Sequence, residues 1–291
     1  GLQKNTLMQI CTSAEQYYNI LRLFPEEYTI GFVPTMGALH QGHISLVKEA
    51  KQKCNKVVVS IFVNPTQFNN KQDLASYPRT LEEDCKLLSE FDDITIFATN
   101  VDEVYPEITI SEYDMDGLDL TGEGPRRPGH FNGVVQVVSR LFDIIKPHMA
   151  FFGEKDFQQL AIITHMSKKM GYPVQITPCP TVRESDGLAM SSRNKLLTSE
   201  QREIAPKIYK ALSLAKYLYD TEAPEAITPK LLADWVVEQI NKEKLLEVEY
   251  IEIVNASSLE ILNNWSDAEH IQLCAAVFAH PVRLIDNIKL K

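Results

Sequence analysis

The sequence predicts an α/β fold, a doubly wound parallel sheet followed by a second, smaller α+β domain. Three observations carry that expectation. Strand-like and helix-like segments alternate through about the first 180 residues. One of the strand-like segments, residues 56–63, is apolar on both faces, as a central parallel strand is. After about residue 181 the alternation stops, and helical segments give way to strand-like runs with no helix long enough to cross between them.

Taken in order, TIGFVPT (29–35) reads as a buried strand and ISLVKEAKQKC (44–54) as an amphipathic helix. KVVVSIFV (56–63) is rich in β-branched residues and apolar on both faces, which suits a central strand. TLEEDCKLLSEF (80–91) opens with Thr80 and Glu83 at capping-box spacing, so a helix is expected there, with ITIFAT (94–99) as the next strand. FNGVVQVVSRLFDIIK (131–146) has apolar positions at helical spacing. MAFFGEK (149–155), FQQLAIITHMSKKMG (157–171) and YPVQITP (172–178) then give strand, helix and strand. Repeated β–α–β units imply right-handed crossovers and a Rossmann-like sheet, placing one domain over residues 1–182 and a smaller one over 183–291. In the latter, Thr198 with Gln201 and Thr228 with Pro229 mark two helix starts. EVEYIEIV (247–254), IQLCAAVFA (271–279) and VRLIDNIKL (282–290) read as strands of a largely antiparallel sheet.

Composition bounds the function. The chain of 291 residues is long enough to bury a sizeable core, with 44% hydrophobic and 23% charged residues. A net charge of −10 argues against generic binding to nucleic acid or an anionic membrane, though not against a small anionic substrate. Cys11, Cys54, Cys85, Cys179 and Cys274 are scattered and odd in number, the usage of a reduced, cytoplasmic protein. The longest apolar run, VVVSIFV at 57–63, is far short of the roughly 20 residues of a membrane span, and no signal-peptide pattern is seen.

VPTMGALHQGHISLVKEAKQKC (33–54) sets His40 and His43 three residues apart, with Gly37 and Gly42, where a strand ends and a helix begins. Ligands of doubly wound folds bind at the carboxyl ends of strands, and a helix N-terminus favours phosphate. The glycines let backbone approach a ligand and the imidazoles can donate to phosphate oxygens, while a metal pair and a plain turn remain alternatives. The P-loop pattern is absent.

Read together, PTMGALHQGH, VVVSIFVNPTQF, YPRTLEEDC, RRPGHFNGVV, FFGEKDFQQL and DGLAMSSRN, in this order, resemble the pantoate–β-alanine ligase family of the HIGH-motif nucleotidyltransferases. The resemblance implies a two-step reaction. The pantoate carboxylate attacks the α-phosphate of ATP to give pantoyl adenylate and pyrophosphate, and the β-alanine amine then displaces AMP. It implies catalytic roles for His43, His40, Lys155 and Arg193, with Mg²⁺ accompanying ATP. An ATP site would draw on Pro34, Thr35, Met36, Gly37, His40, Gly42 and His43 at the first turn. It would continue through Gly153, Lys155 and Asp156 to Val182, Met190, Ser191, Ser192 and Arg193, the last group resembling a KMSKS loop. Met36, Asn64, Gln67, Arg127 and Gln159 would hold pantoate and β-alanine, and Asp84 is the expected metal ligand.

Those roles suit the residues. Lysine binds phosphate as a point charge, and neutral glutamine amides can hold a hydroxy acid without tying up the carboxylate that must attack. Gln158 is expected on a solvated helix face. The second domain is expected to close as a lid, and a homodimer is implied. A transferase leaving a nucleotide on a phosphorylated acceptor would call for more cations, and a regulatory module would not need this full set. A tRNA-binding role is disfavoured by the charge. No nucleophile–base pair is present in the pattern, so no covalent enzyme intermediate is expected.

Overall fold

The computed structural model describes residues 8–107 and 112–291. The chain forms two compact units. One gathers the described residues up to Asp114 with Arg127–Glu154 and Ile162–Pro180, and the other comprises Met115–Arg126, Lys155–Ala161 and Thr181–Lys291.

The first unit holds the strands β1 (Gln9–Cys11), β2 (Ile30–Thr35), β3 (Lys56–Ile61), β4 (Ile94–Ala98), β5 (Met149–Gly153) and β6 (Gln175–Cys179). They pair in the order β1-β4-β3-β2-β5-β6, parallel throughout. Successive strands step outward from β2 on one side and from β5 on the other, so the order reverses between these two. In doubly wound folds, ligands bind at the carboxyl ends of the strands beside such a reversal. Val57, Val58 and Val59 of β3 are all buried, as the unbroken apolar run requires of a strand covered on both faces. The helix Gln41–Lys53 lays Ile44, Val47 and Ala50 against Val33 and Phe151. The helix His130–Ile145 packs Phe142 edge-on against Phe32 of β2, with ring centroids 6.2 Å apart. Each such buried valine, isoleucine or phenylalanine side chain contributes about 1.5–3 kcal/mol.

The second unit holds β7 (Glu247–Asn255), β8 (Ile271–Ala279) and β9 (Val282–Lys289), antiparallel in sequence order. Leu273 and Val277 of β8 share a core with Leu212, Ala215, Leu232 and Val236 from the flanking helices.

Local expectations meet three corrections. The helix begins at Leu81, but Thr80 forms no side-chain cap; its hydroxyl donates instead to Asp84 Oδ1 at 3.1 Å. The segment opened by the Thr198–Gln201 capping box is two helices, Ser199–Ile204 and Lys207–Glu222, separated at Pro206, which has no N–H to continue the ladder. The short edge strand β1 and the helix Ala14–Leu21 join the elements expected from the sequence.

Candidate active site

The chain leaves β2 at Thr35, at the reversal of strand order, and turns sharply before the helix that starts at Gln41. Thr35 Oγ1 donates to Ser60 O at 2.7 Å and accepts from Gly37 N at 3.1 Å, so its side chain shapes the turn. Gly37 and Ala38 both have left-handed backbones, with φ of +79° and +50°. For Ala38 that conformation costs roughly 1–2 kcal/mol. A Cβ on Gly37 would stand 3.1 Å from Asp84 Oδ2 and 3.1 Å from Ile61.

Asp84 holds this turn. Its Oδ2 accepts from Ala38 N at 3.0 Å, and its Oδ1 from Leu39 N at 2.9 Å and from Thr80. The residue is 1% exposed. Two successive amides converging on one carboxylate form an anion nest, and the anion is the protein's own. The expectation of a metal ligand at Asp84 is corrected accordingly: both oxygens are engaged in fixing the loop. Among the described residues no group of three His, Cys, Asp or Glu side chains is placed to hold a metal ion.

His40 is the N-cap of the helix and His43 its third residue, and they cap each other's backbone. His40 Nδ1 accepts from Gly42 N at 3.0 Å, and His43 Nδ1 accepts from His40 N at 3.2 Å. Their ring centroids lie 4.1 Å apart. A backbone N–H can only donate, so each Nδ1 is an acceptor and each neutral ring carries its hydrogen on Nε2. The sequence spends two imidazoles here because they complete the capping geometry and supply Nε2–H donors at a helix N-terminus.

A third feature of the same unit is the turn Pro65–Gln67, capped by Asn64. Asn64 is fully buried. Its Nδ2 donates to Gln67 Oε1 at 3.1 Å and to Gly133 O at 3.0 Å, while its Oδ1 accepts from Thr66 and Tyr105. Asn64 therefore holds Gln67 and is not a ligand-facing group, which corrects the expected substrate contact. The bond also sets the flip of the Gln67 amide, so that Nε2 is the donor end. His130 Nδ1 donates to Gln67 O at 2.7 Å. Gly133 permits the approach: a Cβ there would fall 2.5 Å from Thr66 O and 2.6 Å from Gln67 N. The PGHFNG stretch is thus the support of Gln67. Arg127, half-buried, precedes this helix and its carbonyl accepts from His130 N at 3.0 Å. Met36 and Pro34 are half-buried at the end of β2.

In the second unit, Lys155 and Asp156 lead into the helix Phe157–Lys169, and Asp156 O accepts from Leu160 N at 2.9 Å. Gly153 ends β5 in the first unit. Lys155 Nζ lies 3.7 Å from Asp156 Oδ1, and its main-chain oxygen accepts from Asn287 Nδ2 at 2.9 Å. Gln159 is half-buried on the first turn. Gln158 departs from the expected solvated face: its Nε2 donates to Leu118 O and Thr121 O at 2.9 and 2.8 Å, and its Oε1 accepts from Glu123 N at 2.9 Å. Met190 N donates to Val182 O at 2.9 Å, closing the base of a hairpin. Ser191 then caps the short helix Ser192–Leu196, accepting from Arg193 N at 3.2 Å. Hydrogen bonds thus join the members of each set within its own unit: Thr35 to His43 with Asp84, Asn64 with Gln67, and Val182 to Arg193.

A helix N-terminus at the switch point of a parallel sheet, furnished with imidazole N–H donors, is an arrangement of an α/β protein that can receive phosphate groups. A family model described as pantoate–β-alanine ligase matches residues 9–289. The chain belongs to this family, whose enzymes join pantoate to β-alanine. It is 51% identical over 264 residues to a pantothenate synthetase of Porphyromonas gingivalis, covering 91% of this chain and 92% of the relative. A pantothenate synthetase structure from Thermus thermophilus superposes with a TM-score of 0.88 at 38% identity, covering 97% of this chain and 99% of that one. A pantoate–β-alanine ligase from Francisella tularensis, complexed with β-γ ATP and β-alanine, gives 0.80 at 36% identity and 98% of both chains. Among the described residues no helix is long and apolar enough to cross a membrane.

Proposed function

We propose that this ligase condenses pantoate with β-alanine through a pantoyl-adenylate intermediate, with ATP as the activating substrate. A carboxylate oxygen of pantoate attacks the α-phosphorus and pyrophosphate leaves. The β-alanine amine then attacks the acyl carbon, AMP leaves, and the amine proton passes to solvent, giving pantothenate. The observation that carries this reading is the mutual capping of His40 and His43, which fixes both rings as neutral Nε2–H donors at a helix N-terminus. Donors fixed before the reaction stabilise charge that develops on phosphate oxygens without reorganising.

Lys155, Ser191, Ser192 and Arg193 supply further donors to the phosphates, and Arg193 offers a planar guanidinium to two oxygens at once. Gln67 Nε2 and the Gln159 amide orient pantoate, Met36 gives its apolar carbon a wall, and Arg127 attracts the carboxylate of β-alanine. Backbone at Gly37, Gly42 and Gly153, with Val182 and Met190, lines the nucleotide. Support for ATP comes from the β-γ ATP bound to the Francisella relative. Mg²⁺ would travel with the ATP phosphates and keep most of its waters; Asp84 does not fit as its ligand, and no step is assigned to the ion. The family resemblance and the scattered cysteines support a cytoplasmic homodimer.

The test is exchange of labelled pyrophosphate into ATP with pantoate and Mg²⁺ present and β-alanine absent. Pantoate-dependent exchange is expected, with AMP and pantothenate released on adding β-alanine. Folded enzyme that binds ATP and shows no exchange would refute the adenylate route.

A further inference from the structure

The strand β9 carries an anomaly that the proposed chemistry leaves unexplained. In the run VRLIDNIK, Asp286 and Asn287 are adjacent, and both are buried, at 6% and 7% exposure. Neighbouring strand residues face opposite sides of a sheet, so two polar groups are buried on two different faces. Buried polar groups persist where each finds partners, and the partners here are specific.

Asp286 takes Arg183 in a two-pronged ion pair, Nη1 to Oδ2 at 2.7 Å and Nη2 to Oδ1 at 2.9 Å. The Arg183 guanidinium lies 3.5 Å over the Tyr209 ring and also donates to Gly187 O at 3.1 Å. Arg183 sits in the hairpin whose strands meet at Arg183 and Ala189, and Asn194 Nδ2 fastens the next segment to Ala189 O at 3.0 Å. Asp286 therefore anchors the loop that presents Ser191, Ser192 and Arg193. One residue on, Asn287 Nδ2 donates to the main-chain oxygen of Lys155 at 2.9 Å, while its Oδ1 accepts from Gln272 Nε2 at 2.8 Å. Asp286 Oδ1 also accepts from Asn287 N at 2.7 Å, locking the pair.

We propose that Asp286 and Asn287 are positioning residues for the activation step: one dipeptide sets Lys155 and the Ser191–Arg193 loop in fixed register. The inference rests on the adenylate reading above. Neither residue touches substrate; each acts through the groups it holds. The rate of adenylate formation depends steeply on such register, since a misplacement of about 1 Å can cost a hundredfold.

The experiment measures pantoate-dependent pyrophosphate exchange in Asp286→Asn and Asn287→Asp, which preserve shape. The first removes the charge that grips Arg183; the second turns a donor facing the Lys155 oxygen into an acceptor. Leu232→Ala, in the core of the same unit, serves as a control that is destabilised without touching this link. All are assayed well below their melting transitions. At saturating substrates kcat for exchange is expected to fall about ten- to a hundredfold in both variants, with KM for pantoate little changed and the control near wild type. Tryptic cleavage after Lys195, read by mass spectrometry on the native enzyme, is expected to accelerate in Asp286→Asn and not in the control. Should Asp286→Asn fail to fold, Arg183→Lys tests the same link from the loop side, and should Asn287→Asp fail, Asn287→Leu removes the donor to the Lys155 oxygen without adding charge, each with the same expected loss. Wild-type kcat in folded variants overturns the proposal, as does a loss matched by Leu232→Ala without faster cleavage after Lys195. Absence of exchange in the wild type overturns the adenylate reading and this proposal with it.

Discussion

Replacing Asp84 tests most directly how the histidine turn is held. Ala38 and Leu39 are 2% and 4% exposed, and their amides donate to the Asp84 carboxylate at 3.0 and 2.9 Å. A hydrogen bond to a charged group is worth about 1.5–3 kcal/mol, so Asp84→Ala, which strands both buried amides, is expected to cost about 3–6 kcal/mol. Asp84→Asn is the sharper variant. Whichever way its amide turns, an NH₂ group faces one backbone N–H, and the loss is about half as large. Urea unfolding measures the cost, and hydrogen exchange at the Ala38 and Leu39 amides localises it. Activity falls with the turn, because the left-handed backbone at Ala38 no longer has what compensates its strain. An Asp84→Asn enzyme of unchanged stability, active but with a raised Mg²⁺ requirement, would refute this reasoning and return Asp84 to the metal.

Two further outcomes follow from contacts in the first unit. Gly133→Ala places a Cβ 2.5 Å from Thr66 O and 2.6 Å from Gln67 N, and backbone cannot yield as a flexible side chain does; KM for pantoate rises more than KM for ATP, and overpacking lowers stability by about 1–3 kcal/mol. Steady-state kinetics with each substrate varied distinguishes this from a general loss. Burial pushes the Cys11 and Cys179 thiols up from the ordinary value of 9.0 to about 11. Between these values the unfolded chain has lost protons that the folded chain keeps, so stability is intact below about 9 and declines as pH rises toward 11. Urea unfolding at stepped pH shows the slope, and Cys179→Ala flattens it.

What the sequence shows of this protein divides along sequence separation. The sheet is readable because its signal is local: β3 carries the β-branched run Val57–Val59, and the helix facing it has apolar residues at helical spacing. The geometry of the histidine turn is readable for the same reason, Gly37, His40, Gly42 and His43 lying within seven positions. The supports are not local. Asp84 reaches back 45 residues to Leu39, Asn64 reaches 69 forward to Gly133, and Asp286 lies 103 from Arg183. An isolated Asp or Asn gives no sign of which backbone it will meet, so an acid beside phosphate chemistry reads naturally as a metal ligand. One local signal does exist: two adjacent polar residues inside the apolar run of β9 break the alternation of a half-buried strand.

These supports share a physical logic. Side chains that contact substrate must be oriented to within a few tenths of an ångström, yet long side chains have many rotamers. The protein orients them through the main chain. Asp84 grips the amides of Ala38 and Leu39, one residue before His40; Asn287 grips the carbonyl of Lys155; His130 grips the carbonyl of Gln67. In each case a buried polar side chain holds the backbone at or beside a residue of the proposed site, and Asp84 and Asn287 are themselves fixed by Thr80 and Gln272. Buried polar groups of this kind add little net stability when satisfied but are costly to disrupt. On the proposed reading, their presence in cores where apolar residues would pack as well follows from the register they impose on the residues assigned to phosphate and pantoate.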